Sequence, residues 1–283
     1  MALIVQKYGG TSMGSPDRIR GVAKRVARWR AQGHQLVVVV SAMSGETNRL
    51  IALAKDVSVQ PDPRELDVMV STGEQVTIAL LAMALKDLGV KAKSYTGGQV
   101  KVLTDSTFTK ARILDIQDSN IRRDLDHDTV VIVAGFQGVD DAGNITTLGR
   151  GGSDYSAALL GAALHDAGAP VSAIEIWTDV DGILPADPRV VPGARLVPEV
   201  GYAEAAELAF FGAKLLHPAT IRPAIARGLP VKVRNTFRPE GAGTTVRAEA
   251  PGAGVRALAM RSGVAALFVG SPRMLLAYGY AAR

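Results

Sequence analysis

The chain has 283 residues, 47% apolar and 21% charged, which is globular composition with ample material for a core and excludes a wholly disordered polypeptide. Its 32 Lys and Arg against 27 Asp and Glu leave a net charge of +5, suited to anionic small molecules and short of a nucleic-acid footprint. With no cysteine and 4 histidines, a disulfide framework, a thiolate metal site, an iron–sulfur cluster, a cysteine nucleophile and a His-rich metal centre are excluded.

At about 150 residues per domain, the length suits two domains or one large α/β domain. The stretch from Met1 to Lys7 carries too few apolar residues for a signal peptide. No apolar run approaches about 18 residues, so a membrane-spanning helix is not expected and a cytoplasmic protein is.

Short β-branched runs recur at Leu3–Val5, Leu36–Val40, Val130–Val133, Ile174–Trp177 and Val231–Val233. Apolar at nearly every position, they read as strands buried on both faces of a parallel sheet. Helical patterns lie between them at Ser15–Ala31, Asn48–Lys55, Arg64–Leu88, Asp154–Ala167, Tyr202–Leu208 and Pro218–Arg227. This alternation predicts an α/β fold, a sheet flanked by helices. In the first helix, Arg18, Arg20, Lys24, Arg25, Arg28 and Arg30 interleave with Ile19, Val22, Val26 and Trp29, which reads as a solvated basic face. Ser153 or Asp154 is expected to cap the fourth helix. Pro218 opens the last helix and Gly228 closes it. After Val246, Arg247–Gly254 reads as a linker. Val264–Val269 and Met274–Arg283 read as a strand and a partial helix that cannot bury their own apolar faces.

The first strand runs into Lys7-Tyr8-Gly9-Gly10-Thr11-Ser12 and then a helix. Consecutive glycines let backbone N–H groups approach a ligand, a helix N-terminus favours anions, and Lys7 adds a point charge. The loop therefore reads as a phosphate cradle, with a plain tight turn as the alternative. It is not a Walker A loop, and no dinucleotide-binding G-x-G-x-x-G follows any strand.

A second glycine loop, Leu148-Gly149-Arg150-Gly151-Gly152-Ser153-Asp154, gathers three glycines with a cation, a hydroxyl and a carboxylate. Arg150 suits a bidentate clamp on a carboxylate or phosphate. Asp154 suits holding Lys7 or managing metal–phosphate charge. Ile176-Trp177-Thr178-Asp179-Val180-Asp181-Gly182 starts at a strand end, where open α/β sheets bind ligands. Asp187-Pro188-Arg189 follows it, and Phe211-Gly212-Ala213-Lys214 offers a lysine for a nucleotide phosphate. His217, before Pro218, reads as structural. The polar loops from Ser41 to Asn48 and Ser71-Thr72-Gly73-Glu74 suit a small zwitterion. Together these elements point to phosphoryl transfer onto a small acid, with two cations stabilising charge at the transferring group. A carboxylate acceptor, with pKa about 4, needs no general base.

Eight motifs in this order over about 1–246 resemble the aspartate kinases (aspartokinases) of the amino acid kinase superfamily. They are Lys7 to Ser12, Val40 to Asn48, Ser71 to Glu74, Phe136-Gln137-Gly138, Thr147 to Asp154, Trp177 to Gly182, Asp187 to Arg189 and Phe211 to Lys214. The resemblance implies a three-layer α/β/α sandwich of carbamate kinase-like type with a mainly parallel central sheet. It implies an aspartate-binding lobe over about 1–140, an ATP-binding lobe over about 141–246, and a linker with the start of a truncated ACT module over 247–283.

The activity implied is transfer of the ATP γ-phosphoryl group to the β-carboxylate of L-aspartate, giving 4-phospho-L-aspartate, the first step towards lysine, methionine and threonine. ATP and Mg are the implied cofactors. By the same resemblance, Lys7 stabilises the transferring group and Asp154 orients the catalytic charges. Thr47, Glu74, Arg150 and Ser153 hold aspartate, Glu74 suiting its ammonium and Arg150 a carboxylate. Lys7, Gly9, Gly10, Thr178, Asp179, Arg189 and Lys214 contact the nucleotide. No dedicated protein metal site, nucleic acid or membrane partner is expected, and a homodimer is compatible with the reading. A sister kinase for another small acid and a catalytically silent ligand-binding fragment are the alternatives.

Overall fold

The central strands form where every side chain is apolar or finds a buried polar partner. In the computed structural model, which describes residues 2–149, 151–186, 190–210, 218–250 and 257–258, β1 (Leu3–Tyr8) is buried at every position. Helix α1 (Pro16–Ala31) follows. The Ser15 hydroxyl caps it by accepting from the Arg18 amide at 3.3 Å, and Pro16 stands where a missing N–H costs nothing. After β2 (Gln35–Val40) come α2 (Glu46–Val57), α3 (Pro63–Val70), α4 (Thr72–Asp87) and β3 (Ala92–Tyr95). The short elements β4 (Val102–Thr104), β5 (Ile113–Ile116) and α5 (Ser119–Asp126) precede β6 (Val130–Ala134), β7 (Gln137–Val139) and β8 (Ile145–Thr147). Then α6 (Gly152–Asp166), β9 (Val171–Thr178), β10 (Glu199–Gly201), α7 (Tyr202–Phe210), α8 (Pro218–Ile225), β11 (Val231–Asn235) and β12 (Thr244–Arg247) complete the described order.

The large sheet has the order β10-β12-β11-β9-β1-β2-β6-β3, parallel throughout except between β11 and β12. Alternation along each strand divides its side chains between two cores. Val5, Val39, Val133 and Ile176 face α5, α6, α7 and α8, where Ile121, Leu160, Tyr202 and Ile221 meet them. Ile4, Val38, Ile132 and Trp177 face α1 and α4, where Val22, Val26, Leu81 and Leu85 meet them. Three layers, α/β/α, therefore bury both faces of the central strands, and each fully buried aliphatic contributes about 1.5–3 kcal/mol.

Several expectations change. The helical pattern over Arg64–Leu88 is two helices, broken at Ser71. Its hydroxyl donates to the Val68 carbonyl at 2.8 Å and that of Thr72 to Met69 at 2.7 Å, competing with backbone amides for those acceptors. The stretch Pro63–Asp87 is nevertheless long and apolar enough, by length and composition, to cross a membrane, with half of its most apolar part buried inside the protein. Its apolar residues are interrupted by polar ones, so it forms no continuous apolar run in the sequence. A second sheet, β5-β4-β7-β8, has no counterpart in the sequence pattern, because its strands are three or four residues long and each is interrupted by Thr, Asp, Gln or Gly. The basic face of α1 holds for Arg20, Lys24 and Arg28, but Arg25 turns inward over the Trp177 ring, 4.4 Å from its centroid. His217 and most of the expected linker and module over 247–283 lie outside the described residues.

Candidate active site

Strands β1, β2, β6 and β9 are parallel and finish at one edge, with Tyr8 beside both Val40 and Trp177, and Val40 beside Ala134. The chain segments that follow them therefore gather at the carboxyl ends of the strands. Lys7 has the same facing as Val5, towards α6. Its Nζ lies 2.6 Å from Asp154 Oδ1, with the two side chains only 11% and 17% exposed. The first turn of α6 adds the positive end of the helix dipole beside that carboxylate.

Helix α6 starts two residues earlier than a Ser153 cap requires and three earlier than an Asp154 cap requires. The N-cap is Gly151, in the left-handed region at φ 79°, where a side chain would be strained. Ser153 and Asp154 thus sit within the first turn with their side chains free for the cleft. The Ser41 hydroxyl, just past β2, donates to Ser153 Oγ at 3.0 Å. A Cβ on Gly135, just past β6, would lie 2.8 Å from the Ser153 side chain, so only glycine admits that approach.

Glu74 occupies the first turn of α4 and is 2% exposed. Its Oε1 accepts from the Ala42 amide at 3.0 Å, while Oε2 is buried without a hydrogen-bond partner. Burial pushes its carboxyl up to about 7, against the lowering effect of the Ala42 amide. Thr77 ties the same helix to this loop by donating to the Ser41 carbonyl at 2.9 Å. Thr47 is half-buried in the first turn of α2, on the far side of the same loop.

On the other side of β1, the Gly9 amide donates to the Trp177 carbonyl at 3.2 Å. Gly10, the next residue, faces back towards the loop after β2 and presses against the Ala42 carbonyl, which a Cβ there would approach to 3.1 Å. Thr178 ends β9, with its hydroxyl donating to Asp179 at 3.3 Å, and Asp179 is exposed at the strand end. The edge therefore divides. Ser41, Glu74 and Ser153 lie on the β2–β6 side, Thr178 and Asp179 on the β9 side, and Lys7 with Asp154 between them. Arg150, Arg189 and Lys214 lie outside the described residues.

Two residues to which the sequence assigns no role support the site: Asp67, outside every motif, and Gln137, inside Phe136-Gln137-Gly138. Asp67 in α3 is fully buried and accepts from the Thr109 amide at 2.9 Å, the Thr147 amide at 2.8 Å and the Thr147 hydroxyl. It anchors the end of β8, from which the second glycine loop departs. Gln137 donates to the Ser71 carbonyl at 2.9 Å and fastens β7 to the break between α3 and α4. A signal for Asp67 existed: Asp67, Ser71 and Glu74 recur at helical spacing on a face shared with Val70. Among the described residues, no group of three His, Asp or Glu side chains is placed to hold a metal.

An aspartokinase from Pseudomonas aeruginosa is 57% identical over 244 residues, covering 86% of this chain and 58% of that protein. The crystal structure of aspartate kinase from Synechocystis superposes with a TM-score of 0.77 at 44% identity, covering 88% of this chain and 40% of that one. Escherichia coli aspartokinase III in complex with aspartate and ADP superposes with a TM-score of 0.78 at 32% identity, covering 88% of this chain and 65% of that one. The chain thus spans a little over half the length of the curated relatives it matches. The model of the amino acid kinase family matches residues 2–235, a span that takes in the large sheet as far as β11 and both glycine loops at its edge, and the chain belongs to that family.

Proposed function

We propose that the chain carries the catalytic unit of an aspartate kinase, moving the γ-phosphoryl group of ATP onto the β-carboxylate of L-aspartate. The observation that carries this reading is the Lys7–Asp154 pair at 2.6 Å, set between a half-site with an unpartnered buried carboxylate oxygen on Glu74 and a half-site beside glycine-lined backbone. The aspartokinase relatives support the same reading.

In this mechanism the β-carboxylate oxygen of aspartate attacks the γ-phosphorus. A phosphorus–oxygen bond to the acceptor forms, the bond to the β-phosphate oxygen breaks, and ADP leaves with the electron pair. No proton moves, because the acceptor is already ionised at neutral pH. Lys7 meets the negative charge on the transferring group, and Asp154 holds the ammonium in place before and after transfer. Glu74 receives the α-ammonium of aspartate, which offsets the burial of its carboxylate. Ser153, Thr47 and Arg150 complete the acceptor half-site, Arg150 by clamping a carboxylate. Gly9, Gly10, Thr178, Asp179, Arg189 and Lys214 serve the nucleotide.

A magnesium ion would come in on the nucleotide phosphates, keeping several of its waters. Asp154 is the carboxylate at the cleft that would face it, and the ion would supply charge neutralisation at the phosphates.

The test is formation of aspartyl hydroxamate from ATP, aspartate and hydroxylamine by the purified chain, with glutamate and N-acetylglutamate in parallel. Product with aspartate alone supports the reading. Absence of product while ATP still binds replaces it with a silent ligand-binding unit.

A further inference from the structure

On the α1 side of the sheet, next to the strand ends, a polar cluster is buried where alternation asks for apolar side chains. Glu175 in β9 is 1% exposed, and Gln6, its register partner in β1, is fully buried. Each hydrogen bond that Glu175 makes among the described residues comes from a donor. Gln6 Nε2 and Trp177 Nε1 reach Oε2 at 3.0 and 3.1 Å, and the Arg234 guanidinium reaches Oε1 at 3.3 Å. The Trp177 ring stacks on Tyr8 at 5.9 Å between centroids. The guanidinium groups of Arg25 and Arg234 lie over the indole at 4.4 and 5.0 Å.

Stability alone does not account for such a cluster. One nitrogen of Arg25 and one of Arg234 are buried without hydrogen-bond partners, and a buried ion pair is commonly no better for stability than apolar packing of the same volume. Its location supplies a reason. The Trp177 carbonyl accepts from the Gly9 amide at 3.2 Å and from the Ser12 hydroxyl at 3.4 Å. Ser12 in turn lies 2.6 Å from the Thr236 hydroxyl, and the Thr236 carbonyl accepts from Arg25 at 2.7 Å. Thr178 and Asp179 follow Trp177 directly. The Trp177 backbone carbonyl therefore joins the glycine loop after β1 to the end of β9, and Glu175 holds the indole of the same residue by its only polar atom.

We propose that Glu175 is a positioning residue for the nucleotide half-site, acting through Trp177 on the Gly9 loop and on Thr178. The proposal rests on the reading of those backbone segments as nucleotide contacts. Glu74 and Ser153 stand across β1, beyond the end of β2 and on the opposite side from β9, and share no hydrogen bond with the cluster. A nucleotide-selective defect is thus expected, which loss of folding stability would not produce.

The test is Glu175→Gln in a Trp29→Phe background, which leaves Trp177 as the sole reporter of the 2 tryptophans. Glutamine keeps the volume but turns one acceptor into a donor facing a donor. Expected are a shifted Trp177 emission, a rise of about tenfold in the ATP KM and in the ATP dissociation constant by calorimetry, and an aspartate KM changed by less than about twofold. Equal ATP affinity in variant and parent, or parallel losses for both substrates, overturns the proposal. A parent that binds no ATP overturns the nucleotide reading itself. If Glu175→Gln does not fold, Trp177→Phe decides: it removes the indole donor and keeps an aromatic ring, and an unchanged ATP KM in that variant overturns the proposal.

Discussion

Lys7 Nζ and Asp154 Oδ1 are 2.6 Å apart, although one belongs to the first strand and the other to the sixth helix. The pair spans the gap between the sheet and the α5–α8 layer at the strand ends. If Lys7 meets charge that develops only during transfer, Lys7→Ala lowers kcat by about two to three orders of magnitude with little change in aspartate KM. Steady-state hydroxamate kinetics read this. A variant whose aspartate KM rises while kcat holds would assign Lys7 to ground-state binding instead.

Glu74 gives a pH signature. Its carboxyl is protonated up to about 7 in the folded chain against 4.5 ordinarily, so the folded state holds the extra proton in that window. The stability it contributes is whole below the ordinary value and is lost as pH rises through about 7. Glu74→Gln removes this dependence. Without ligand, the stability of the variant relative to the parent is expected to grow by on the order of 3 kcal/mol between about pH 4 and pH 8. Urea unfolding at the two pH values measures it, and a constant difference would refute the assignment. The same variant is expected to bind aspartate more weakly, since an amide offers the ammonium no charge.

Gly135 lies where a Cβ would come within 2.8 Å of Ser153. Gly135→Ala is expected to cost about 1–3 kcal/mol through overpacking and to displace Ser153. The aspartate KM should then rise more than the ATP KM. Wild-type kinetics in a less stable protein would show that the Ser41–Ser153 contact is not part of the acceptor half-site.

Asp67 accepts three hydrogen bonds while fully buried. In Asp67→Asn, one acceptor oxygen becomes a donor opposed to the Thr109 or Thr147 donors. A loss of about 2–3 kcal/mol is expected in the urea midpoint analysis. A variant as stable as the parent would mean that water or a neighbouring group replaces the lost acceptor.

The five central strands were legible because apolar residues at nearly every position have no other accommodation than a sheet covered on both faces. Their lengths were less so: β9 extends from Val171 to Thr178, and Glu175 is accommodated inside it because that carboxylate finds Gln6 and Arg234 on the neighbouring strands and Trp177 two residues along its own. The second sheet gave no periodic signal, since strands such as Ile145–Thr147 satisfy their polar side chains with each other, Thr104 lying 2.6 Å from Thr146. Helical spacing puts Arg25 on the solvated face, because its partners, Tyr8, Trp177 and Thr236, are remote in the chain.

The order of residues alone determined the layered α/β class, the two glycine loops and the chemistry their charged neighbours suit, because backbone geometry and side-chain type are local properties. Only the tertiary structure decided that Lys7 meets Asp154, that one oxygen of Glu74 lacks a partner, and that Trp177 couples two loops. Those facts depend on which strands lie side by side, and strand order follows from packing among distant segments rather than from any single stretch of chain.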